Sequence, residues 1–118
     1  MNDIVIVGPC GAGKTTLARS LKAAGYSVRA VAQEHSVIRK LWRHGGEPAA
    51  VVFLDAEAAV ITQRRQHDFP LWLHAEQQLR LADARENALI VVDTSNLAVA
   101  EVRALVTEQL VAYAIVPK

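Results

Sequence analysis

The chain has 118 residues, of which 52% are hydrophobic and only 5% aromatic, and it carries a formal net charge of +1. That length corresponds to one domain, with enough apolar residues to bury a real core. The near-neutral charge gives no global reason to expect a nucleic-acid or membrane partner.

The single cysteine, Cys10, cannot form an internal disulfide. The opening MNDIVIVG contains an acidic residue and too short an apolar run to read as a secretory signal, and no run approaches the length of a membrane span. A reducing, cytoplasmic location is the expectation. No repeat, low-complexity tract or linker is visible, so residues 1–118 read as a single unit.

In chain order, the apolar run Ile4-Val5-Ile6-Val7 reads as a buried strand. A helix is expected over about 14–24, where Leu17, Ala18, Leu21 and Ala24 share a face and Gly25 stands as the residue that ends it. A second strand covers 27–31. A short helix is expected over 36–43, with Val37, Ile38, Leu41 and Trp42 on one face and Gly45-Gly46 closing it. The third strand covers 50–54, and the next helix starts after Asp55 as N-cap, turns Val60 and Ile61 inward and ends at Arg64-Arg65.

A further helix is expected over roughly 73–87, with Leu71, Ala75, Leu79 and Ala82 in helical spacing. The fourth strand covers 88–92. The last helix runs from 99 to 110 or a little beyond, with Val102, Leu105, Val106 and Leu110 buried. Residues 111–116 read equally as an extension of that helix or as an edge strand. Strands alternating with helices in so short a chain require right-handed crossovers and a parallel sheet, hence a three-layer α/β fold of about four strands.

The segment Gly8-Pro9-Cys10-Gly11-Ala12-Gly13-Lys14-Thr15 matches G-x-x-x-x-G-K-[ST] at every fixed position, between a strand and a helix as that motif requires. Gly11 and Gly13 allow successive N–H groups to turn inward as an anion nest, and the following helix adds the partial positive charge of its N-terminus. Lys14 is then placed to reach the β- and γ-phosphates of ATP or GTP, and the Thr15 hydroxyl to join the shell of a Mg²⁺ ion. Residues 8–15 together with Thr16 form the expected nucleotide cradle. Cys10, at a variable position of the motif, reads as a space filler, or as a thiol made reactive by the helix N-terminus.

Together with two later segments, this loop resembles the small P-loop kinases of the nucleoside, nucleotide and shikimate/gluconate kinase type. Those segments are Val51-Val52-Phe53-Leu54-Asp55-Ala56 before the helix ending Arg64-Arg65, and Leu89-Ile90-Val91-Val92-Asp93-Thr94-Ser95-Asn96-Leu97 before Glu101-Val102. The resemblance implies an arginine-bearing lid at Arg64 and Arg65 and a base-binding loop at Thr94, Ser95 and Asn96. It also places an acidic residue at the end of the second strand, which here is Glu34.

A carboxylate there would orient an acceptor hydroxyl or a Mg²⁺-bound water, and the alternative for Glu34 is a solvated residue at a helix start. A guanidinium from the lid would meet charge on the transferring phosphoryl, although arginines also favour helix C-termini for dipole reasons alone. Adjacent arginines point about 100° apart on a helix, so at most one of the two is expected to face the site. Arg80 and Arg85 are weaker candidates, since Glu76 can pair with Arg80.

Asp55 and Asp93 each end an apolar strand and either could mimic a Walker B aspartate; Asp55 is the metal-ligand candidate, with helix capping as its alternative, and Asp93 reads as well as a turn residue. The histidines at 35, 44, 67 and 74 have no i, i+4 partner and no neighbouring cysteine in sequence, which argues against a dedicated zinc site. His35 reads as a surface histidine or one that touches a substrate. The basic stretch 39–44 reads as a solvated face, the alternative being a surface for an anionic acceptor or RNA.

The kinases of this type usually have five parallel strands and a sizeable acceptor-binding insertion. Here only residues 32–49 separate the second and third strands, so one strand is missing and the expected sheet order is second, first, third, fourth. The expected activity is therefore ATP-dependent phosphoryl transfer to a small hydroxyl- or phosphate-bearing acceptor, with slow hydrolysis as a side reaction behind a short lid. The alternatives are an NTPase switch and a non-catalytic nucleotide-binding module acting through a protein partner. The truncated sheet also leaves room for a homodimer without marking a surface for it.

Overall fold

The computed structural model describes residues 3–117. Four parallel strands, β1 (Ile4–Val7), β2 (Val28–Ala30), β3 (Ala50–Asp55) and β4 (Ile90–Asp93), lie in the order β2-β1-β3-β4. This is the order expected above. β1 pairs with both β2 and β3, with Ile4 opposite Val28 on one side and Ala50 on the other. The apolar runs persist because both faces of the sheet are covered.

On one face Ile4, Ile6, Val52, Leu54 and Ile90 pack against Leu17 and Leu21 of α1 (Lys14–Ala23) and against Val102, Val106 and Leu110 of α4 (Val99–Ala112). Ile61 of α2 (Ala58–Arg65) joins the same layer. On the other face Val5, Val7, Val51 and Phe53 meet Trp42 and, from α3 (Leu71–Glu86), Leu81 and Ala84. The result is the expected three-layer α/β fold with a four-stranded parallel sheet.

The end of α1 follows its sequence closely. Gly25, at φ 97°, takes the left-handed residue after the helix, and the Tyr26 N–H reaches back to the Leu21 carbonyl at 3.0 Å. α4 starts with the Glu101 carboxylate accepting the Ala98 N–H at 2.9 Å.

Four expectations are corrected. Residues 36–43 form no α-helix: one short 3₁₀ turn, Gln33–His35, precedes them and another, Leu41–Arg43, closes the stretch. Val37 is 82% exposed, and of the expected apolar face only Trp42 is buried. What holds this stretch is buried Gln33, whose amide donates to the Ile38 carbonyl at 2.7 Å and accepts the Trp42 N–H at 3.0 Å. A buried amide that bonds backbone directly removes the need for helical pairing.

Second, α3 buries Gln77, Leu81 and Ala84, while Leu71 and Leu79 are exposed at 78% and 73%. Third, Leu105 of α4 is 40% exposed. Fourth, Glu57, not Asp55, stands at the N-cap of α2. The open question at 111–116 resolves without a strand, because α4 continues to Ala112 and then turns. Among the described residues no helix is long and apolar enough to cross a membrane.

Candidate functional site

The loop between β1 and α1 begins at Gly8, which is buried against β3. A Cβ there would lie 2.0 Å from the Leu54 carbonyl oxygen, so only glycine allows the first turn of the loop. Gly13, at φ 103°, occupies the N-cap of α1 without a side chain to cap it, and no acidic residue stands in that helix's first turn. Among the described residues no side chain caps its first N–H groups, and Thr15 and Thr16 are exposed.

Lys14 folds back over the loop. Its Nζ donates to the carbonyls of Gly8 at 2.8 Å and Pro9 at 3.2 Å, and lies 2.6 Å from Glu34 Oε2. Glu34 sits in the 3₁₀ turn just past β2, is 3% exposed, and its second oxygen, Oε1, is buried without a hydrogen-bond partner. Glu34 is thus a buried carboxylate with spare acceptor capacity, paired with the loop lysine and not a solvated residue at a helix start.

Of the adjacent arginines, Arg64 turns inward. Its guanidinium donates to the Gly11 carbonyl and the Thr94 hydroxyl, both at 3.1 Å, and to the Thr94 carbonyl. Arg65 lays its aliphatic stem beside Gly11 and points its Nε toward His67. Thr94, 2% exposed, also donates to the Ala12 carbonyl at 2.9 Å, so this threonine and Arg64 tie the loop after β4 to the phosphate loop.

Beside them runs a groove of about 450 Å³ between the start of α1 and the start of α4, with Thr16, Leu17, Thr94, Leu97 and Val102 among its walls and Arg64 and Arg103 bordering it. An apolar slot ending at a nest of free N–H groups suits a nucleotide base and ribose with phosphates beyond. Ser95 and Asn96 lie outside it. The Ser95 hydroxyl accepts the Glu57 N–H at 2.9 Å, and Asn96 is exposed. Asp93 is held below the usual carboxylate range by the hydroxyl and the backbone N–H of Ser95, as a turn residue would be.

The Asp55 carboxylate turns to α3, where it accepts from Gln78 at 3.0 Å and from Arg85 at 2.9 Å. The acid beside the phosphate-loop lysine is Glu34 instead. Arg85 also stacks over the Phe53 ring, and Arg80 pairs with Glu76 at 3.4 Å, so both have structural partners.

Two features had no signal in the sequence. Gln77, an interior polar residue of α3, accepts the Cys10 N–H at 3.0 Å and donates to its sulfur at 3.3 Å. The fold also brings His35 to Cys10, with Nε2 3.1 Å from Sγ, across 25 residues of chain. Spacing along the chain hid that contact, because it exists only when β2 lies beside β1.

Comparison with curated proteins found no match. The family model described as AAA domain matches residues 4–106 and spans every strand, the phosphate loop, Glu34, Arg64 and Thr94. The chain belongs to this family of P-loop nucleoside-triphosphatase and kinase-like domains, and is a P-loop nucleotide-binding domain.

Proposed function

We propose that the protein is an ATP-dependent phosphotransferase acting on a small hydroxyl- or phosphate-bearing acceptor. The observation that carries this reading is the Lys14–Glu34 pair: a buried carboxylate held at the loop lysine, with Oε1 unused. A protein that only held nucleotide would need the lysine and the free N–H groups but not this acid.

Bound as its Mg²⁺ complex, ATP supplies an electrophilic γ-phosphoryl group. The residues present fit it: the uncapped N-terminus of α1 and Lys14 would hold the phosphates, the exposed Thr15 hydroxyl would join the metal's shell, and the groove at Leu97 and Val102 would take the base. Lys14 exchanges its carbonyl and carboxylate partners for phosphate oxygens. Glu34, relieved of its cation, accepts the acceptor's hydroxyl proton on a carboxylate oxygen. Arg64 holds the Thr94 loop against Gly11 and so keeps the base and phosphate sub-sites in register.

The test is a screen of pooled small metabolites for stimulated ADP release, with Lys14→Ala as control. An acceptor that accelerates release in the parent chain but not in the variant supports the kinase reading; no stimulation by any pool overturns it. The second reading, hydrolysis that switches a partner, is favoured by the short, exposed segment 66–68 that follows α2. It requires nucleotide-dependent association in the absence of any acceptor effect.

A further inference from the structure

The contact between His35 and Cys10 belongs to a larger group. Cys10 Sγ, His35 Nε2 and Glu34 Oε2 form a triangle with sides of 3.1 Å (Cys10 to His35), 3.9 Å (Cys10 to Glu34) and 3.9 Å (His35 to Glu34). Around a tetrahedral zinc ion with bonds of about 2.0–2.3 Å, neighbouring ligand atoms stand roughly 3.3–3.8 Å apart. The triangle therefore matches one face of such a tetrahedron within a few tenths of an ångström. Three protein ligands leave a fourth position open, and the His35 side chain, 58% exposed, puts that position within reach of solvent.

We infer that Cys10, Glu34 and His35 form a site for a zinc-like divalent cation at the mouth of the phosphate loop. Two observations beyond the triangle support it. The Glu34 carboxylate is buried and its Oε1 has no partner, so it has acceptor capacity beyond the bond Oε2 makes with Lys14. Gln77 donates an amide N–H to the Cys10 sulfur at 3.3 Å, the kind of outer contact that orients a metal-bound thiolate.

The donor set decides which ion. A thiolate and an imidazole with one carboxylate select zinc or its tetrahedral mimics, whereas Mg²⁺ requires six oxygen ligands and rejects sulfur. This site is thus distinct from that of any Mg²⁺ carried in with a nucleotide. Lys14, 2.6 Å from Glu34 Oε2, is a cation already in contact with the triangle, and it opposes metal entry while it stays there. Phosphate binding, by drawing Lys14 away, favours zinc. With zinc on Glu34 that carboxylate is no longer free to accept a proton, so zinc would act as an inhibitor; this consequence alone rests on the kinase reading.

The test is titration of the nucleotide-free chain with Co²⁺ followed by Zn²⁺. The expected result is an intense near-ultraviolet thiolate-to-cobalt band with tetrahedral visible bands, abolished by Zn²⁺ and untouched by excess Mg²⁺. Cys10→Ser should remove the thiolate band, and His35→Ala should weaken Zn²⁺ binding by more than about tenfold, since even outer partners count on that scale. Cobalt bound without a thiolate band, or wild-type zinc affinity in both variants, overturns the site. None of these readouts requires turnover, so failure here is distinct from failure to find an acceptor.

Discussion

Lys14 Nζ lies 2.6 Å from Glu34 Oε2, in a pair whose side chains are 12% and 4% exposed. Removing one member of a buried pair strands the other's charge, at a cost of about 3–5 kcal/mol. Glu34→Ala should therefore lower the folding stability of the nucleotide-free chain on that scale, measured by urea denaturation. Glu34→Gln keeps an acceptor oxygen for Lys14 and should cost less. Its ATP affinity should at least equal the parent's, because Lys14 leaves it more readily, while stimulated turnover falls by about 10²-fold or more. Weaker ATP binding in Glu34→Gln would contradict the role given to this pair.

The two ends of the phosphate loop differ in tolerance. At Gly8 a Cβ would sit inside the Leu54 carbonyl, whereas at Gly13 it would meet nothing within 4 Å. Gly8→Ala should cost roughly 3 kcal/mol or more, or prevent folding, because backbone must move. Gly13→Ala keeps only the penalty of its positive φ, about 1–2 kcal/mol. Thermal melts of both variants check the ordering, and equal losses would refute it.

Arg64 makes its contacts with a planar guanidinium spread over two residues, Gly11 and Thr94. A lysine has neither the shape nor the number of donors to replace it. Arg64→Ala and Arg64→Lys should both weaken ATP binding, by about tenfold if one to two kcal/mol of positioning is lost. Arg65→Ala should change it little. Calorimetric titration of the three variants decides which arginine serves the nucleotide.

Acid should weaken the fold through two aspartates. At Asp83 burial pushes the carboxyl pKa up, but the Trp42 indole N–H and Lys40 more than offset this, so it lies below its ordinary value of 3.8. Asp93 is lowered by Ser95. Because the folded values lie below the unfolded ones, the stability these groups add is present in full above about pH 5 and is lost as pH falls through the folded values. Urea midpoints measured between neutral and strongly acidic pH should fall on acidification. Asp83→Asn should start lower at neutral pH and show a flatter acid limb.

Gln33 stands in for a missing helix. Its amide bonds the Ile38 and Trp42 backbone at 2.7 and 3.0 Å, in a residue with no exposed surface. Gln33→Ala leaves the Trp42 N–H without its acceptor, at about 1–3 kcal/mol, and takes from the Ile38 carbonyl one of its two donors, the other being the Leu41 N–H. The expected outcome is a marked drop in melting temperature with faster proteolysis between residues 36 and 46.

The strands, their order and the phosphate loop were legible because each rests on local chemistry: unbroken apolar runs for a doubly covered sheet, and glycines at fixed spacing for an anion nest. Residues 36–43 misled because Val37 and Ile38 complete an amphipathic stripe that nothing in the fold covers. The choice between helix and irregular chain was made by Gln33, a polar residue whose burial no hydrophobic pattern announces. α3 misled in the same way, since its leucines at 71 and 79 mark a stripe while the buried face runs through Gln77, which meets Cys10. Glu34 was placed by its position after a strand, but its pairing with Lys14 and the approach of His35 to Cys10 depend on which strands lie side by side. Such contacts across the sheet leave no periodic trace along the chain.

The two sides of the site stand on unequal supports. The phosphate loop leaves β1, a central strand paired on both edges and flanked by six-residue β3, while Glu34 hangs beyond β2, an edge strand of three residues with a single neighbour. Local opening begins where few backbone pairs must be broken, so amides of β2 and the turn after it should exchange with solvent well before those of β3. The half that grips triphosphate is thus the rigid half, and the half that must admit and choose an acceptor is the one that can open without unfolding the rest.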